Sequence, residues 1–360
     1  MTRVAIAAGG TGGHVFPALA VAEELRRRGV EVHFLGTRQG LEARAVPAAG
    51  FPLAEVEMRG LRGGGWRRWL ALPWGLARAV GAAARVLIRL RPVAVLGMGG
   101  YVAAPVGLAA RLTGRPLVLH EQNAVPGLTI RLLARLARRI LTGFPEAATA
   151  LGGRAQWVGT PVRPALVGLP APAARYAERE GPLRVLIFGG SQGARFLNEE
   201  LPPLLADLAA RGRTLHIWHQ AGEREAERVR RAYAAAGLTA EVVAFIDDMA
   251  SAYQWCDLAF CRAGAGTVTE LAAVGVPAVL VPFPHAVDDH QRRNAEALVE
   301  RGAALCLDQN DWDAEAVAQW LDTVAGDRAR LATMAEAARE FARPEAAAQV
   351  AEACLKGGKA

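Results

Sequence analysis

The sequence predicts an α/β fold with two doubly wound parallel-sheet domains that face one cleft. Three observations predict it. The chain has 360 residues, which is too many for one ordinary core and suits two. A pattern of strand, glycine turn and helix occurs twice, about half a chain apart. Apolar runs alternate with helical patterns in both halves, as parallel sheets with crossover helices require.

The first strand covers 4–8 and leads into the glycine turn GGTGGH at 9–14. Glycine tolerates the tight backbone turn, and the Ala/Leu/Glu-rich stretch that follows predicts a helix. A helix that begins at such a turn directs free N–H groups and the positive end of its dipole toward an anion. The second copy has a strand at 185–188 and the turn GGSQGA at 189–194. Each half therefore predicts a site for a phosphorylated compound.

Further buried strands are predicted from short apolar runs between helical patterns. These runs lie at 32–35, 93–96, 117–119 and 139–141 in the first half and at 215–218, 242–246, 257–261 and 278–282 in the second. Between the halves, five prolines from Pro161 to Pro182 predict a linker without helices or strands. The predicted domains are therefore 1–160 and 161–339.

The net charge of +7 hides an asymmetry between the halves. Residues 1–160 contain 21 Arg and 8 Glu, a net +13, whereas the rest of the chain carries −6. The excess indicates an anionic partner: nucleic acid, a phosphorylated substrate or an anionic membrane surface. General arginine abundance is the alternative, but it does not explain why acids are scarce in one half only. Because no nucleic-acid reader motif accompanies the basic half, nucleic acid is not expected as a partner.

A tryptophan- and arginine-rich stretch favours the membrane surface among these partners. It contains Arg62, Trp66, Arg67, Arg68, Trp69 and Trp74. Indole rings prefer the headgroup depth of a bilayer, where arginines meet lipid phosphates. The run that continues to Leu90 is too interrupted by proline, glycine and arginine for a transmembrane helix. The alternative is an amphipathic helix that packs on the first domain with a basic outer face.

The cysteines and the N-terminus indicate a reducing cytosol. The four cysteines form no C-x-x-C pair and no zinc spacing, so neither a disulfide framework nor a structural metal is expected. The N-terminus enters a strand at once, without the segments of a signal peptide.

The turn GGTGGH differs from the dinucleotide-binding fingerprint. The fingerprint needs a glycine where this chain has Val15, and no acidic residue ends a second strand at the required distance. His14 is the notable residue of the turn, because a helix N-terminus disfavours the protonated imidazole. A neutral imidazole is suited to take a proton from a hydroxyl. Two roles stay open for His14: a general base, or a cap of the turn that bonds a phosphate oxygen.

A second motif, CRAGAGTVTE at 261–270, is typical of a nucleotide site. It leaves a predicted strand, turns on Gly264 and Gly266 and begins a helix that carries Glu270. A carboxylate there can hold both ribose hydroxyls while the helix N-terminus and Thr267 hold a diphosphate. The alternative for Glu270 is a carboxylate that is merely favoured by the helix dipole.

Acidic residues elsewhere offer no convincing divalent-metal site. Asp247 and Asp248 precede an apolar helix and are predicted to cap it. No D-x-D motif or His/carboxylate cluster offers a convincing divalent site, so a leaving diphosphate would be stabilised by helix dipoles and arginine. No metal and no cofactor is therefore expected.

Eight segments along nearly the whole chain resemble those of the MurG family, the membrane-associated glycosyltransferases of peptidoglycan synthesis, and more widely those of the GT-B transferases. The segments are GGTGGHVFPALAVA at 9–22, GMGGYVAAP at 97–105, HEQNAVPG at 120–127, GTPVR at 159–163, GGSQGA at 189–194, FIDDMA at 245–250, CRAGAGTVTE at 261–270 and DDHQRRNA at 288–295. Each glycine turn alone is unspecific, whereas the ordered set is highly specific. The resemblance implies two Rossmann-like domains in the GT-B arrangement.

The resemblance also implies a reaction. N-acetylglucosamine would pass from UDP-N-acetylglucosamine to the C4 hydroxyl of the muramyl sugar of lipid I, with inversion, to give lipid II. The first domain would bind the acceptor and the membrane, and the second would bind the donor. The protein would be peripheral at the cytoplasmic face of the inner membrane. A helix at about 340–356 would pack back onto the first domain.

Site residues follow from the resemblance by motif position. His14 is the implied general base, with Glu121 as the competitor. Ile246 would contact uracil through its backbone, while Asn123 and Gln291 would hold the sugar. The implied donor-binding residues are Thr11, Gly12, Gly13, Asn123, Arg163, Ser191, Ile246, Gly264, Ala265, Gly266, Thr267, Glu270 and Gln291. The implied acceptor-binding residues are Gly10, Gly12, Gly13, His14, Gly99, Gly100 and Tyr101.

Two positions depart from the family pattern. His290 stands where some relatives carry a second glutamine, and Gly266 replaces a common bulky residue.

Three other functions stay open. They are a related transferase with another acceptor, an epimerase of UDP-N-acetylglucosamine, and a non-catalytic membrane scaffold that binds the sugar nucleotide. The HEQN segment and the Trp/Arg stretch favour a polyprenyl diphosphate acceptor.

Overall fold

The computed structural model describes residues 1–56, 66–177, 179–190 and 193–357, with the backbone alone at 66–72. The chain forms two compact units. Unit 1 comprises residues 1–163 together with those from 343 onward, and unit 2 comprises residues 164–342. Both boundaries lie a few residues beyond the predicted ones.

The described strands of unit 1 form one parallel sheet. They are β1 (Arg3–Ala7), β2 (Glu31–Gly36), β3 (Leu53–Glu55), β4 (Ala94–Gly97), β5 (Leu117–Glu121), β6 (Arg139–Thr142) and β7 (Ala155–Trp157). The strand order is β3-β2-β1-β4-β5-β6-β7. The central strand β1 pairs with β2 and β4, so that Val4 lies opposite Val32 and Ala94.

Helices cover both faces of this sheet. They are α1 (Gly12–Arg27), α2 (Glu42–Ala48), α3 (Trp66–Leu90), α4 (Gly100–Leu112), α5 (Leu128–Leu133) and α6 (Pro145–Ala150). Alternate residues of β1 belong to different cores, because side chains along a strand point to opposite faces. Val4 and Ile6 pack with α1 and α2, whereas Ala5 and Ala7 pack with α3, α4 and α5. A strand buried on both faces explains why the sequence shows uninterrupted apolar runs.

Unit 2 repeats the design with a six-stranded parallel sheet among its described residues. Its helices begin with α7 (Pro164–Val167) and α8 (Pro172–Ala177). The strands are β8 (Leu183–Phe188), β9 (Leu215–Gln220), β10 (Ala240–Val243), β11 (Leu258–Cys261), β12 (Ala278–Leu280) and β13 (Ala304–Cys306), in the order β10-β9-β8-β11-β12-β13. The other helices are α9 (Arg195–Ala210), α10 (Ala226–Ala235), α11 (Met249–Trp255), α12 (Ala265–Val274), α13 (His290–Val299), α14 (Ala314–Ala325) and α15 (Arg328–Phe341).

The last described helix, α16 (Ala346–Gly357), belongs to unit 1. Its buried residues Val350, Ala351 and Cys354 complete the core formed by α1 and the sheet. The helix predicted at about 340–356 therefore begins later than expected, since α15 ends at Phe341 and Pro344 lies in the turn between the two helices.

The predicted fold class of two doubly wound parallel sheets is confirmed, and every predicted run coincides wholly or partly with a strand. The prediction that the proline-rich segment lacks helices is wrong. The short helices α7 and α8 both begin at a proline, because proline is favoured at the first helical position, where its missing N–H has no helical partner.

Candidate active site

Both glycine turns follow the strand at which the strand order reverses. β1 lies between β2 and β4, and β8 lies between β9 and β11. In open parallel sheets, ligands bind at the carboxyl ends of the strands beside such a reversal. Each unit therefore has a candidate site at the turn that the sequence singles out.

The turn of unit 1 leads directly into α1, whose first turn contains His14. Thr11 precedes the helix, and its carbonyl oxygen accepts the His14 N–H at 3.1 Å. The Thr11 hydroxyl lies 3.2 Å from His14 Nδ1. Gly12 and Gly13 are the first two residues of the helix. The N–H groups at this position of a helix have no hydrogen-bond acceptor within the helix itself. The predicted place of His14 at a helix N-terminus is confirmed.

Two glycines at the start of α4 lie directly beside His14. Gly99 and Gly100 have φ of 83° and 72°, in the region that favours glycine. A Cβ at Gly99 would lie 3.0 Å from His14 Cδ2 and 3.1 Å from its Nε2, and a Cβ at Gly100 would lie 2.5 Å from the Gly9 carbonyl oxygen. The fold thus joins two glycine segments that are distant in the sequence, and both the positive φ and the close neighbours favour glycine at the two positions.

Tyr101, the next residue of α4, lies against the glycine turn. A Cβ at Gly10 would be 3.4 Å from Tyr101 Cε1. The Tyr101 hydroxyl is 3.3 Å from that of Thr37, and the Gly10 N–H donates to buried Glu42 at 3.1 Å. Sequence reasoning missed Thr37 and Glu42. Thr37 directly follows β2 and Glu42 begins α2, and neither belongs to a motif that the sequence singles out.

Glu121 ends β5 and is buried. Its Oε1 accepts the Asn123 backbone N–H at 3.0 Å and the Asn123 side-chain amide at 3.1 Å, while Oε2 accepts the Gly127 N–H at 2.9 Å. Burial raises the pKa of this carboxyl group, and the hydrogen bonds from Asn123 and Gly127 counteract the rise. Both oxygens therefore hold the loop at 121–127 in place.

The flanking residues His120 and Gln122 form a second buried network. His120 Nε2 lies 2.9 Å from the Gly159 carbonyl oxygen, which can only accept, so this nitrogen carries the hydrogen. Gln122 then donates its amide N–H to His120 Nδ1 at 3.3 Å. Burial lowers the pKa of His120 to about 4. His120 is consequently neutral near pH 7 and joins two segments of unit 1.

Arg163 ends unit 1 and lies near the same glycine turn. Its guanidinium carbon is 5.5 Å from the centroid of the Phe16 ring on α1. Gly12 lies against the same ring, because a Cβ there would be 2.9 Å from Phe16 Cε2. Phe16 therefore contacts both residues, and the structure brings Arg163 close to the start of α1.

In unit 2, the turn after β8 contains Gly190 and Gly193, with φ of 89° and 75°. Ser191 lies outside the described residues. The Gln220 side chain links this turn to the loop after β10. Its Nε2 donates to the Gly190 carbonyl oxygen at 2.6 Å, and its Oε1 accepts the Ile246 N–H at 3.3 Å. Ile246, the predicted uracil contact, is thereby held next to the glycine turn.

The predicted helix is present as α12 and carries Glu270, but it begins at Ala265, so Gly266 lies within the helix and not in the turn before it. The residues at its start are Gly264, Ala265, Gly266 and Thr267. The Tyr253 hydroxyl donates to Glu270 Oε2 at 3.1 Å. Tyr253 is completely buried, so this bond fixes the direction of the Glu270 carboxyl group. Asp248 caps α11 by accepting two backbone N–H groups, which confirms its predicted structural role.

Gln291 lies in the first turn of α13. Its Oε1 accepts the Phe283 N–H at 2.9 Å, so the carbonyl side of the amide braces the preceding loop. In that loop, Asp288 and Asp289 have φ of 52° and 50°, a conformation that costs free energy outside glycine and is often kept at functional sites. His290 Nδ1 lies 2.7 Å from the Val287 carbonyl oxygen of the same loop.

The predicted site residues are thus divided between the units. The predicted acceptor-binding residues, His14 included, lie around the turn after β1, while Glu121 ends β5 and Asn123 follows it. Of the predicted donor-binding residues, Thr11, Gly12, Gly13, Asn123 and Arg163 belong to unit 1, and the other described ones belong to unit 2. Among the described residues, no group of three His, Cys, Asp or Glu side chains could hold a metal ion.

Two sequence families match the two halves of the chain. The glycosyltransferase family 28 N-terminal domain matches residues 4–142, and the family 28 C-terminal domain matches residues 184–350. The crystal structure of MurG from Acinetobacter baumannii is similar over 99% of this chain and 100% of that one, with 42% identity and a TM-score of 0.85. This chain belongs to the MurG family within glycosyltransferase family 28. It is a glycosyltransferase with the GT-B fold.

Curated MurG-family relatives match the chain almost from end to end. One from Halorhodospira halophila is 58% identical over 98% of this chain and 97% of its own length. One from Alkalilimnicola ehrlichii is 56% identical over 98% of each. Both are named UDP-N-acetylglucosamine–N-acetylmuramyl-(pentapeptide) pyrophosphoryl-undecaprenol N-acetylglucosamine transferase.

The predicted membrane stretch lies at the start of α3. Arg62 falls outside the described residues, and Trp66, Arg67, Arg68 and Trp69 are described by their backbone alone. Trp74 is 79% exposed. The helix packs on unit 1 through Ala79, Ala83 and Leu87, which agrees with the alternative of an amphipathic helix with a basic outer face. No helix in the described part of the chain combines the length and apolarity needed to cross a bilayer.

Proposed function

We propose that this chain transfers N-acetylglucosamine from UDP-N-acetylglucosamine to the C4 hydroxyl of the muramyl sugar of lipid I, with inversion, and so produces lipid II. The relatives' shared name supports both substrates. The observation that carries the mechanism is the place of His14, at a helix N-terminus and against the backbone of Gly99 and Gly100. A base is thereby set among backbone N–H groups that suit a diphosphate-linked acceptor.

In the proposed reaction, His14 takes the proton of the acceptor hydroxyl. The oxygen attacks the anomeric carbon, and the bond to the diphosphate breaks with its electron pair leaving on UDP. Attack from the face opposite the leaving group inverts the configuration. Glu121 is the weaker candidate for the base, because both of its oxygens accept N–H groups of its own loop.

The donor is assigned mainly to unit 2. Glu270, oriented by Tyr253, would accept the ribose hydroxyls, and the N-terminus of α12 would receive the diphosphate at 264–267. Ser191 would add a hydroxyl donor, and the Ile246 backbone would contact uracil. Gln291 and, from unit 1, Asn123 would hold the sugar, while Arg163 would offset the charge of the departing diphosphate.

The acceptor is assigned to unit 1. Its diphosphate would bind the N–H groups at Thr11, Gly12 and Gly13 and those at Gly99 and Gly100, which lie at two helix N-termini. Tyr101 would border this anion site.

We also assign unit 1 to an anionic membrane surface at the cytoplasmic face. The helices α3 and α5 belong to the same side of the sheet. Leucine and arginine alternate on the outer face of the α5 region, and Trp74 and Ile88 are exposed on α3. These side chains could insert at headgroup depth while the arginines meet lipid phosphates. The exposed residues are Trp74, Arg85, Ile88, Arg89, Leu128, Arg131, Leu132 and Arg135.

A direct assay tests the reaction. Purified protein is incubated with radiolabelled UDP-N-acetylglucosamine and a short-chain lipid I analogue, and the products are separated. Acceptor-dependent formation of a labelled disaccharide-lipid and UDP is expected. Free sugar without an acceptor would favour the epimerase, and tight UDP binding without any product would favour the scaffold. Either result would contradict the proposal.

A further inference from the structure

Glu42, a buried acid, lies behind the glycine turn of unit 1. It opens α2 and is fully shielded from solvent. Its Oε2 accepts the Gly10 N–H at 3.1 Å. Its Oε1 accepts both the N–H and the hydroxyl of Thr37, at 3.0 and 2.7 Å. A buried carboxyl group is tolerated only where hydrogen bonds replace those to water, and here three donors do so.

Three glycines make room for this carboxyl group. A Cβ at Gly9 would lie 2.8 Å from Glu42 Oε1, and a Cβ at Gly36 would lie 2.7 Å from Cγ. A Cβ at Gly40 would lie 2.0 Å from Oε2. While Glu42 keeps this position, none of the three sites has room for a side chain, so the glycines after β1 and around the end of β2 serve the placement of Glu42.

Thr37 extends the network to Tyr101. The Thr37 hydroxyl hydrogen is used toward Glu42, so the Tyr101 hydroxyl is the donor in their 3.3 Å contact. The Tyr101 ring in turn lies against Gly10. Glu42 therefore reaches the glycine turn twice, through the Gly10 N–H and through the side chain of Tyr101.

We propose that Glu42 and Thr37 are positioning residues for the diphosphate-linked acceptor. They hold the Gly10 backbone and the Tyr101 side chain in the geometry that receives it, without touching it themselves. Since the Gly10 N–H is bonded to Glu42, Gly10 contributes the shape of the turn, and the amides that follow it contribute the bonds to the anion. This inference rests on the proposed function.

The substitution Thr37→Val tests the inference, because valine keeps the shape and removes the hydroxyl. Steady-state rates with UDP-N-acetylglucosamine and the short-chain lipid I analogue give a KM for each substrate. We expect the acceptor KM to rise about 3- to 10-fold, as the loss of a hydrogen bond implies, and the donor KM to change less than about twofold. Thr37→Ser restores the hydroxyl and should return the acceptor KM toward that of the unsubstituted protein.

Glu42→Gln and Tyr101→Phe test whether the change in acceptor KM arises from this hydrogen-bond network. Glu42→Gln replaces one carboxylate oxygen by an NH2 group, which then faces an N–H or O–H donor of Gly10 or Thr37 and cannot accept from it. The KM for the lipid I analogue should therefore rise in this variant too. Thr37→Val and Tyr101→Phe break the same contact. Their combined effect on the acceptor KM should therefore be smaller than the product of the single effects.

Val46→Ala is the matched control, because Val46 is a buried apolar residue of the same helix and has no polar side-chain atom that could join the network. It should lower Tm and leave the ratio of the two KM values unchanged. An acceptor KM that is the same in Thr37→Val and Thr37→Ser, or a rise shared by Val46→Ala, would overturn the inference alone. An unsubstituted protein without acceptor-dependent product would overturn the proposed function and the inference with it.

Discussion

His14 and Glu121, the two candidates for the general base, differ in what their polar atoms do. The Glu121 oxygens accept three N–H groups and hold the loop at 121–127. The His14 ring is oriented by the Thr11 hydroxyl at Nδ1 and lies beside Gly99 through Nε2 and Cδ2. A residue that braces a loop should affect stability when it is changed, whereas a base should affect turnover.

Replacing His14 with alanine should lower kcat by about 10²- to 10⁴-fold, which is the usual contribution of a general base. The affinity for UDP should stay the same, because the donor is assigned mainly to unit 2. Steady-state kinetics and calorimetric titration with UDP measure the two quantities.

The control is His216→Ala, an exposed histidine of β9, which should keep full turnover. Glu121→Gln should lower Tm together with activity, because its loop loses N–H acceptors. A His14→Ala protein with near-normal kcat would show that the base is another group.

The Glu270 carboxyl group should contribute directly to donor binding. Glu270→Ala should weaken UDP binding by about 10-fold or more, because hydrogen bonds to a charged group are worth about 1.5–3 kcal/mol. Tyr253→Phe should weaken it by about 3-fold, since the carboxyl group then loses the hydroxyl that orients it. Calorimetric titration measures both.

Tyr233→Phe is the matched control for Tyr253→Phe. Tyr233 is equally buried in unit 2, but its hydroxyl bonds to His219. UDP affinity should not change in that variant. If Glu270→Ala bound UDP as tightly as the unsubstituted protein, the ribose assignment would be wrong.

At the scale of elements, the sequence predicted the strands that are long and buried on both faces. The strands β3, β7 and β13 were not predicted. Each has only three residues, and β3 and β7 lack a distinctive apolar run, whereas the apolar run at 303–307 around β13 was missed. The alternation of strands and helices and the glycine turns sufficed to place His14 at the start of a helix and Glu270 on one. They could not reveal Glu42, Thr37 or Gln220, because the role of each depends on partners brought near only by the folded sheet.

The α5 region carries the prediction on membrane binding. Leu132→Glu should reduce the bound fraction on vesicles with anionic lipid by about 10-fold, because it removes an exposed apolar group and adds a repelled charge. Cosedimentation at low and high salt measures this. Turnover of a short-chain, water-soluble acceptor should stay the same.

Val299→Glu is the control for this experiment, as Val299 is an exposed apolar residue at the end of α13 in unit 2. It should bind vesicles normally. Equal binding by Leu132→Glu and the unsubstituted protein would exclude the α5 region from the membrane contact.

For the whole molecule, each unit contains a buried histidine that burial keeps neutral. The pKa of His120 in unit 1 is lowered to about 4, and that of His219 in unit 2 to about 3. An unfolded histidine binds a proton below about pH 6.5, so the unfolded state gains protons that the folded state does not. The free energy of unfolding should therefore fall as the pH drops below about 6.5.

Each of these histidines should cost about 2 kcal/mol of stability between pH 7 and pH 5. His219→Gln should consequently lose about 2 kcal/mol less over this interval than the unsubstituted protein, whatever its stability at pH 7. Urea denaturation at both pH values measures the difference. Glu121, whose raised pKa acts in the opposite direction, is common to both proteins and cancels.

His216→Gln, on the same strand but exposed, is the control and should keep the full pH dependence. An equal loss of stability in His219→Gln and the unsubstituted protein would mean that His219 takes up its proton in the folded state as readily as in the unfolded one.

The return of α16 to unit 1 has a consequence for biosynthesis. A ribosome makes the strands of unit 1 first, but it makes α16, which completes the core on one face of their sheet, only after all of unit 2. Unit 2 can finish folding while the nascent chain is still attached, whereas the face of β4 and β5 that receives α16 stays bare. The unit that emerges first is completed last, so its open apolar surface is the part of the newborn chain that most needs a chaperone.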